Sequence, residues 1–145
     1  MTRKGVTVPD WRVGIDVVVV DEVERSITHF GDRYLRRVYT ERELDSCRKG
    51  SSLIASRLAT CFAVKEATIK VLQPVDRRPD LRSIDVSRTQ RGTYEVRLSG
   101  DAAHSAGAAG LGNLFVSARA VPGAAIATVI AKCAESASAA SAAQN

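Results

Sequence analysis

The sequence predicts an α+β fold, a mostly antiparallel sheet packed against one long central helix. Three observations lead there. A β-branched run with four consecutive valines occupies residues 11–20, and the longest helical pattern runs over 53–72. The second half then alternates apolar and polar residues in short segments separated by turn signals.

Taken in order, residues 11–20 read as a strand buried on at least one face. Asp21 can cap the next helix, whose Val23, Ile27 and Phe30 fall at helical spacing, and Gly31 ends it. Thr40-Glu41-Arg42-Glu43 is a capping box opening a short helix to about Arg48. Lys49-Gly50-Ser51-Ser52 breaks the chain, with Ser51 or Ser52 available to cap the long helix. In that helix Leu58, Phe62, Ile69 and Leu72 make an apolar face, and Ala55, Ala59, Ala63 and Ala67 leave room for close packing. Pro74 ends it, and residues 76–80 form a surface loop. Residues 84–86 and 94–98 are strands joined by a turn at Thr89-Gln90-Arg91-Gly92. A short, weak helix over 101–109, capped near Ser99 or Asp101, precedes glycines expected to loosen the chain. Strands over 114–121 and 124–131 then meet at Pro122-Gly123. One domain is expected over residues 10–133, with flexible tails at 1–9 and 134–145.

Composition narrows the function classes. With 21 Lys and Arg against 16 Asp and Glu, the chain carries +5 and favours anionic partners. Aromatics are few and do not interleave with basic residues, which argues against nucleic acid. Cys47, Cys61 and Cys133 form no C-x-x-C pair and no disulfide framework. No apolar run is long enough to span a bilayer and no signal-peptide pattern opens the chain, so a cytoplasmic protein without a membrane partner is expected. His29 and His104 stand alone, and no hydrolase triad surrounds Ser117.

The chemistry concentrates in two segments whose acids, Asp16 and Glu66, lie fifty residues apart. Alternation puts Asp16 on the strand face opposite Val13 and Ile15. Glu66 shares a helix side with Phe62 and Ile69, where a carboxylate needs a cation or donors. Two readings stay open for it: an ion pair with Lys70 one turn on, or ligation of a metal. Magnesium accepts one or two carboxylates and fills its other positions with waters and phosphate oxygens, which would suit Asp16 with Glu66. Lys65 and Lys70 point to different sides of the helix, so one can meet phosphate while the other serves structure or a second phosphate. The usual Gly-rich phosphate loops are absent.

At Gly14-Ile15-Asp16 and at Phe62 through Lys70 the chain resembles the 4′-phosphopantetheinyl transferase superfamily, and within it the short, single-domain holo-acyl-carrier-protein synthase class. That class carries Gly-[Ile/Val]-Asp closing its first strand and [Phe/Trp]-x-x-Lys-Glu-x-x-x-Lys on a central helix. Thr40 to Leu44 is similar to its Leu-Thr-x-x-Glu stretch, with Tyr39 in place of the Leu. The resemblance implies transfer of 4′-phosphopantetheine from coenzyme A to a serine of an apo acyl carrier protein, with release of 3′,5′-ADP. It implies Mg²⁺ between the diphosphate and the carboxylates of Asp16 and Glu66. Catalytic roles then fall to Asp16, Glu66 and Lys70: Lys70 offsets phosphoryl charge, and Glu66 or a water held by the metal takes the serine proton. Lys65, Lys70, Ser117 and Arg119 become coenzyme A contacts. Arg33, Arg36 and Arg37 become contacts for an acidic carrier. Relatives in this class are homotrimers with sites between subunits, an arrangement the Ala positions of the long helix would suit.

The chain departs from the class at three polar positions. Val19 stands where a Glu is usual, Cys61 where an Arg precedes the motif aromatic, and Ser117-Ala118-Arg119-Ala120 lacks the usual His. Two readings follow: a divergent enzyme, or a non-catalytic homologue that binds carrier protein or coenzyme A as a scaffold.

Overall fold

The computed structural model describes residues 10–134. Strand β1 (Trp11–Val19) leads directly into α1 (Val20–Phe30), followed by α2 (Asp32–Val38) and α3 (Glu41–Ser46). A two-stranded hairpin, β2 (Arg48–Lys49) and β3 (Ser52–Leu53), precedes the long helix α4 (Ala55–Leu72). A 3-10 turn (Leu81–Ser83), β4 (Ile84–Arg88), β5 (Tyr94–Leu98), α5 (Gly100–Ala108), β6 (Leu111–Val121) and β7 (Ala124–Cys133) complete the order. One antiparallel sheet runs β1-β7-β6-β5-β4, so the first strand pairs with the last. Apart from Ala134, whose amide donates to the Gly110 carbonyl at 2.6 Å, the expected tails lie outside the described residues.

Helix α4 organises the core. It packs on β1 and β7, and its Ala59, Ala63 and Ala67 are fully buried, as are Ala125, Ala127, Val129 and Ala131 of β7. Small side chains on both surfaces let helix and sheet approach closely. The alanine stripe is therefore spent inside the chain, which corrects the expectation that it serves packing between subunits. Leu58, Val64 and Val71 are buried too, so α4 is enclosed on several sides rather than along one stripe.

Several local expectations change. Helix α1 begins at Val20 with Val19 as N-cap and no side-chain cap, because β1 runs into it without a loop; Asp21 sits in its first turn. Helix α4 is entered from Ile54, and the serines expected to cap it belong to the β2–β3 hairpin instead. It ends on Gln73 in the left-handed region, one residue before Pro74. The stretch after α5 is not loose: Gly107 is helical and Gly112 lies within β6, beside a register shift between Leu111 and Leu114. The capping box of α3 and the Gly31 terminus form as the sequence indicates.

The sheet has an unusual sidedness. Alternation along β1 separates Val13, Ile15 and Val17 from Gly14, Asp16 and Val18. Helix α4 covers the face carrying Gly14 and Asp16. The apolar set is turned outward, with Val13, Ile15 and Val17 each more than half exposed, beside Phe115 and Ile126.

Candidate active site

Gly14 decides how closely β1 meets α4. A Cβ there would lie 2.0 Å from the Ala67 carbonyl oxygen and 3.1 Å from Lys70 Cβ, so no larger residue fits without moving the strand. Arg12, on the same face, donates to the Val71 and Leu72 carbonyls at 3.2 and 3.3 Å. Strand and helix thus run in opposite directions, and Asp16, two residues beyond Gly14, is carried back towards the turn bearing Glu66. There Lys70 Nζ lies 3.0 Å from Asp16 Oδ1 and donates to the Ile15 carbonyl at 2.6 Å.

Glu66, one turn before Lys70, does not pair with it. Its carboxylate accepts from the Arg78 guanidinium, which reaches in from the loop after α4. Both acid side chains are 18% exposed, and each holds one basic group. The structure thus brings Asp16 and Lys70 together at the β1–α4 contact, with Glu66 one helical turn before Lys70 and held by Arg78. Two carboxylates offering hard oxygen donors would suit a magnesium ion that fills its other positions with waters and phosphate, once Lys70 and Arg78 yield their contacts. No group of three or more candidate ligands occurs among the described residues.

Lys65 is elsewhere, and its expected contact with coenzyme A is corrected. Fully buried, it bonds Glu43 Oε2 at 2.9 Å, the Leu81 carbonyl at 2.8 Å and the Ile84 carbonyl at 2.7 Å. An ammonium has three donors, so none is left for a phosphate. Glu43 is equally buried; it accepts the Thr40 amide to close the capping box and the Val86 amide at 2.7 Å. Burial pushes the Glu43 carboxyl up, against the opposing pull of Lys65 and the two amides. Burial likewise pushes Lys65 down, against the pull of Glu43.

Ser117 and Arg119 are not beside Asp16. In the register, Ile15 pairs with Thr128 and Thr128 with Ser117, while Val17 pairs with Ile126 and Ile126 with Arg119. Both residues therefore project from the open apolar face, on the far side of the sheet. Arg33, Arg36 and Arg37 are exposed on α2. Arg36 and Arg37 border a cavity of about 510 Å³ shared with Arg78 and Arg82, whereas Arg33 lies near Phe30 and Tyr34.

Two functional features escaped the sequence reading. The Glu43–Lys65 pair joins segments 22 residues apart, and its only local trace is a capping-box Glu followed by the apolar Leu44. Arg78 lies in a loop read as plain surface, although a half-buried Glu66 needed some cation.

The family model of the 4′-phosphopantetheinyl transferase superfamily matches residues 12–129. A holo-[acyl-carrier-protein] synthase of Chloroflexus aurantiacus is 35% identical over 130 residues, covering 81% of this chain and 95% of its own. One of Gloeobacter violaceus is 36% identical over 91 residues, covering 63% and 69%. Among solved structures, the Helicobacter pylori holo-[acyl-carrier-protein] synthase in complex with coenzyme A superposes with a TM-score of 0.70 at 26% identity, covering 82% of this chain and 98% of that one. The Plasmodium yoelii holo-ACP-synthase shares the fold at a TM-score of 0.74 and 21% identity, covering 86% and 95%. No helix among the described residues is long and apolar enough to cross a membrane. With the family match running from β1 into β7, the chain belongs to the 4′-phosphopantetheinyl transferase superfamily.

Proposed function

We propose that this protein transfers 4′-phosphopantetheine from coenzyme A to a serine of an apo acyl carrier protein. The observation that carries this reading is the Asp16–Lys70 pair at the β1–α4 contact, with Glu66 one helical turn before Lys70, in a chain of this superfamily. Holo-[acyl-carrier-protein] synthases of near-equal length and a coenzyme A-bound relative support it. In the reaction the serine oxygen bonds to the β-phosphorus of coenzyme A, and the bond from that phosphorus to 3′,5′-ADP breaks. Asp16 and Glu66 are the residues that would hold Mg²⁺, which supplies positive charge beside the diphosphate. Lys70, half exposed at the same place, offsets charge that builds on the phosphoryl oxygens. The Glu66 carboxylate accepts the proton that the serine loses. The scaffold alternative is disfavoured, because a protein that only binds has no need to keep both acids and Lys70 together.

Ser117 and Arg119 reach coenzyme A in this reading only from another copy of the chain. An outward face bearing Val13, Ile15, Val17, Phe115 and Ile126 supports self-association, since so large an apolar surface is costly in water. We assign that face to an oligomer, a homotrimer as the family resemblance implies, in which Ser117 and Arg119 of one copy approach Asp16 and Glu66 of the next. Arg33, Arg36 and Arg37 meet the acidic carrier, and the setting is cytoplasmic.

Mass spectrometry of apo carrier proteins incubated with the protein, coenzyme A and Mg²⁺ tests the reaction. A gain of one phosphopantetheinyl group on the carrier serine is expected, lost on omission of the metal. Carriers that bind but stay unmodified would sink the catalytic reading in favour of the scaffold. Analytical ultracentrifugation tests the assembly: Ile15→Lys is expected to give monomers, and an unchanged mass would remove the apolar face from the interface.

A further inference from the structure

The guanidinium on Glu66 has a second neighbourhood. Arg78 reaches Glu66 from the loop between α4 and the 3-10 turn, and it also borders the 510 Å³ cavity with Arg36, Arg37 and Arg82. Asp80 is the one carboxylate on that lining, and its Oδ1 accepts the backbone amide of Arg82. Among the described residues, Arg36, Arg37 and Arg82 form no ion pair. Lys65 holds the Leu81 carbonyl, three residues past Arg78, and so fastens this loop to the helix turn that carries Glu66. The base of the loop is fixed, while the Arg78 side chain is 54% exposed.

Two demands therefore meet on one side chain. A carboxylate 18% exposed needs a cation, and a cavity ringed by unpaired guanidiniums needs anions. A divalent ion at Glu66 would displace Arg78 by like charge and leave it next to the cavity. We propose that Arg78 is a stand-in cation: it neutralises Glu66 until a divalent metal arrives, then turns to join Arg36, Arg37 and Arg82 on the carboxylates of the acidic carrier protein. This rests on the metal reading of Asp16 and Glu66. It adds a coupling, because metal binding completes the docking cavity and carrier binding draws Arg78 away from the metal site. Reciprocity requires the two effects to be equal.

Mn²⁺ binding, followed by electron paramagnetic resonance without coenzyme A or carrier, tests the first half. Arg78→Gln is expected to bind Mn²⁺ about fivefold tighter than wild type, the scale of losing one partly exposed ion pair. Arg82→Gln, which removes the same charge from the same cavity without touching Glu66, is expected to stay within about twofold. Equal affinities for Arg78→Gln and Arg82→Gln would overturn the stand-in role and leave the metal site intact. No Mn²⁺ bound by wild type or Arg78→Gln would overturn the metal reading and the proposal with it. For the second half, affinity for apo acyl carrier protein is measured with and without Mn²⁺. Wild type is expected to bind carrier several-fold tighter with metal, and Arg78→Gln to show no such gain. A metal-dependent gain that survives in Arg78→Gln, or no metal-dependent gain for carrier in wild type, would overturn the carrier as occupant of the cavity.

Discussion

Lys65 and Lys70 sit five residues apart on one helix, each meets a carboxylate from another element, and the two pairs do opposite work. The Lys65–Glu43 pair is 0% exposed on both sides, with every ammonium donor placed. The Lys70–Asp16 pair is 52% and 18% exposed. Coulomb attraction is similar in kind, but the surroundings differ. Inside, the charges have no water to fall back on, so the pair locks α3, α4 and the start of β4 to one another. Outside, water screens the pair, and Lys70 can leave Asp16 when a better partner arrives. Burial decides which lysine is scaffold and which is available to a substrate.

The sharpest way to break this contrast is to remove Lys65. Lys65→Met leaves Glu43 charged, buried and short of its cation, so a loss of about 3–5 kcal/mol is expected by urea denaturation. Combining it with Glu43→Gln should recover a large part, because the orphaned charge is gone. A single substitution costing under about 1 kcal/mol would show that the pair locks nothing. Acidity gives a second handle. Burial raises the Glu43 carboxyl in the folded protein above its ordinary value, and loss of Lys65 removes the main influence pulling it down. Between the unfolded and folded values the folded chain binds more protons, so stability falls as pH rises through that window. The Lys65→Met deficit should therefore be smallest near the ordinary carboxylate range and grow towards neutrality. A deficit independent of pH would locate the damage in packing alone.

Next in size is Gly14→Ala. Its Cβ meets the Ala67 carbonyl at 2.0 Å, and the oxygen belongs to a helix buried on several sides that cannot retreat cheaply. A loss of about 1–3 kcal/mol is expected in thermal unfolding, together with reduced transfer activity as Asp16 is carried away from Lys70. Stability and activity equal to wild type would mean that strand and helix are not in close contact there.

These residues also mark what the sequence could and could not tell. The strand, the long helix, both later hairpins and the capping box were legible because each is written in local period or turn chemistry. Gly14-Ile15-Asp16 was legible as a motif, but not the reason for its glycine, which lies in a carbonyl 53 residues away. The sidedness of β1 was not legible, since alternation separates two faces without saying which one a helix covers. Lys65 was misjudged for the same reason: its helical phase set it apart from Lys70, and only the fold placed Glu43 and two carbonyls around it. Arg78 was missed because a loop has no period from which a partner can be read.

The mildest substitution for the fold should be the most damaging for the chemistry. Lys70→Ala removes a half-exposed ion pair and a hydrogen bond to the Ile15 carbonyl, so denaturant midpoints should shift by less than about 1 kcal/mol. Transfer to carrier protein should nevertheless fall on the order of 10²-fold, the scale for losing one preorganised charge at a developing oxyanion. The fall should appear in kcat more than in KM, because charge on the phosphoryl oxygens grows towards the transition state. Lys70→Arg separates charge from reach: partial recovery would assign the role to positive charge at this place, and none would assign it to the compact ammonium. If Lys70→Ala instead destabilised the protein as much as Lys65→Met while sparing kcat, the two lysines would be equivalent scaffolding and the division between them would fail.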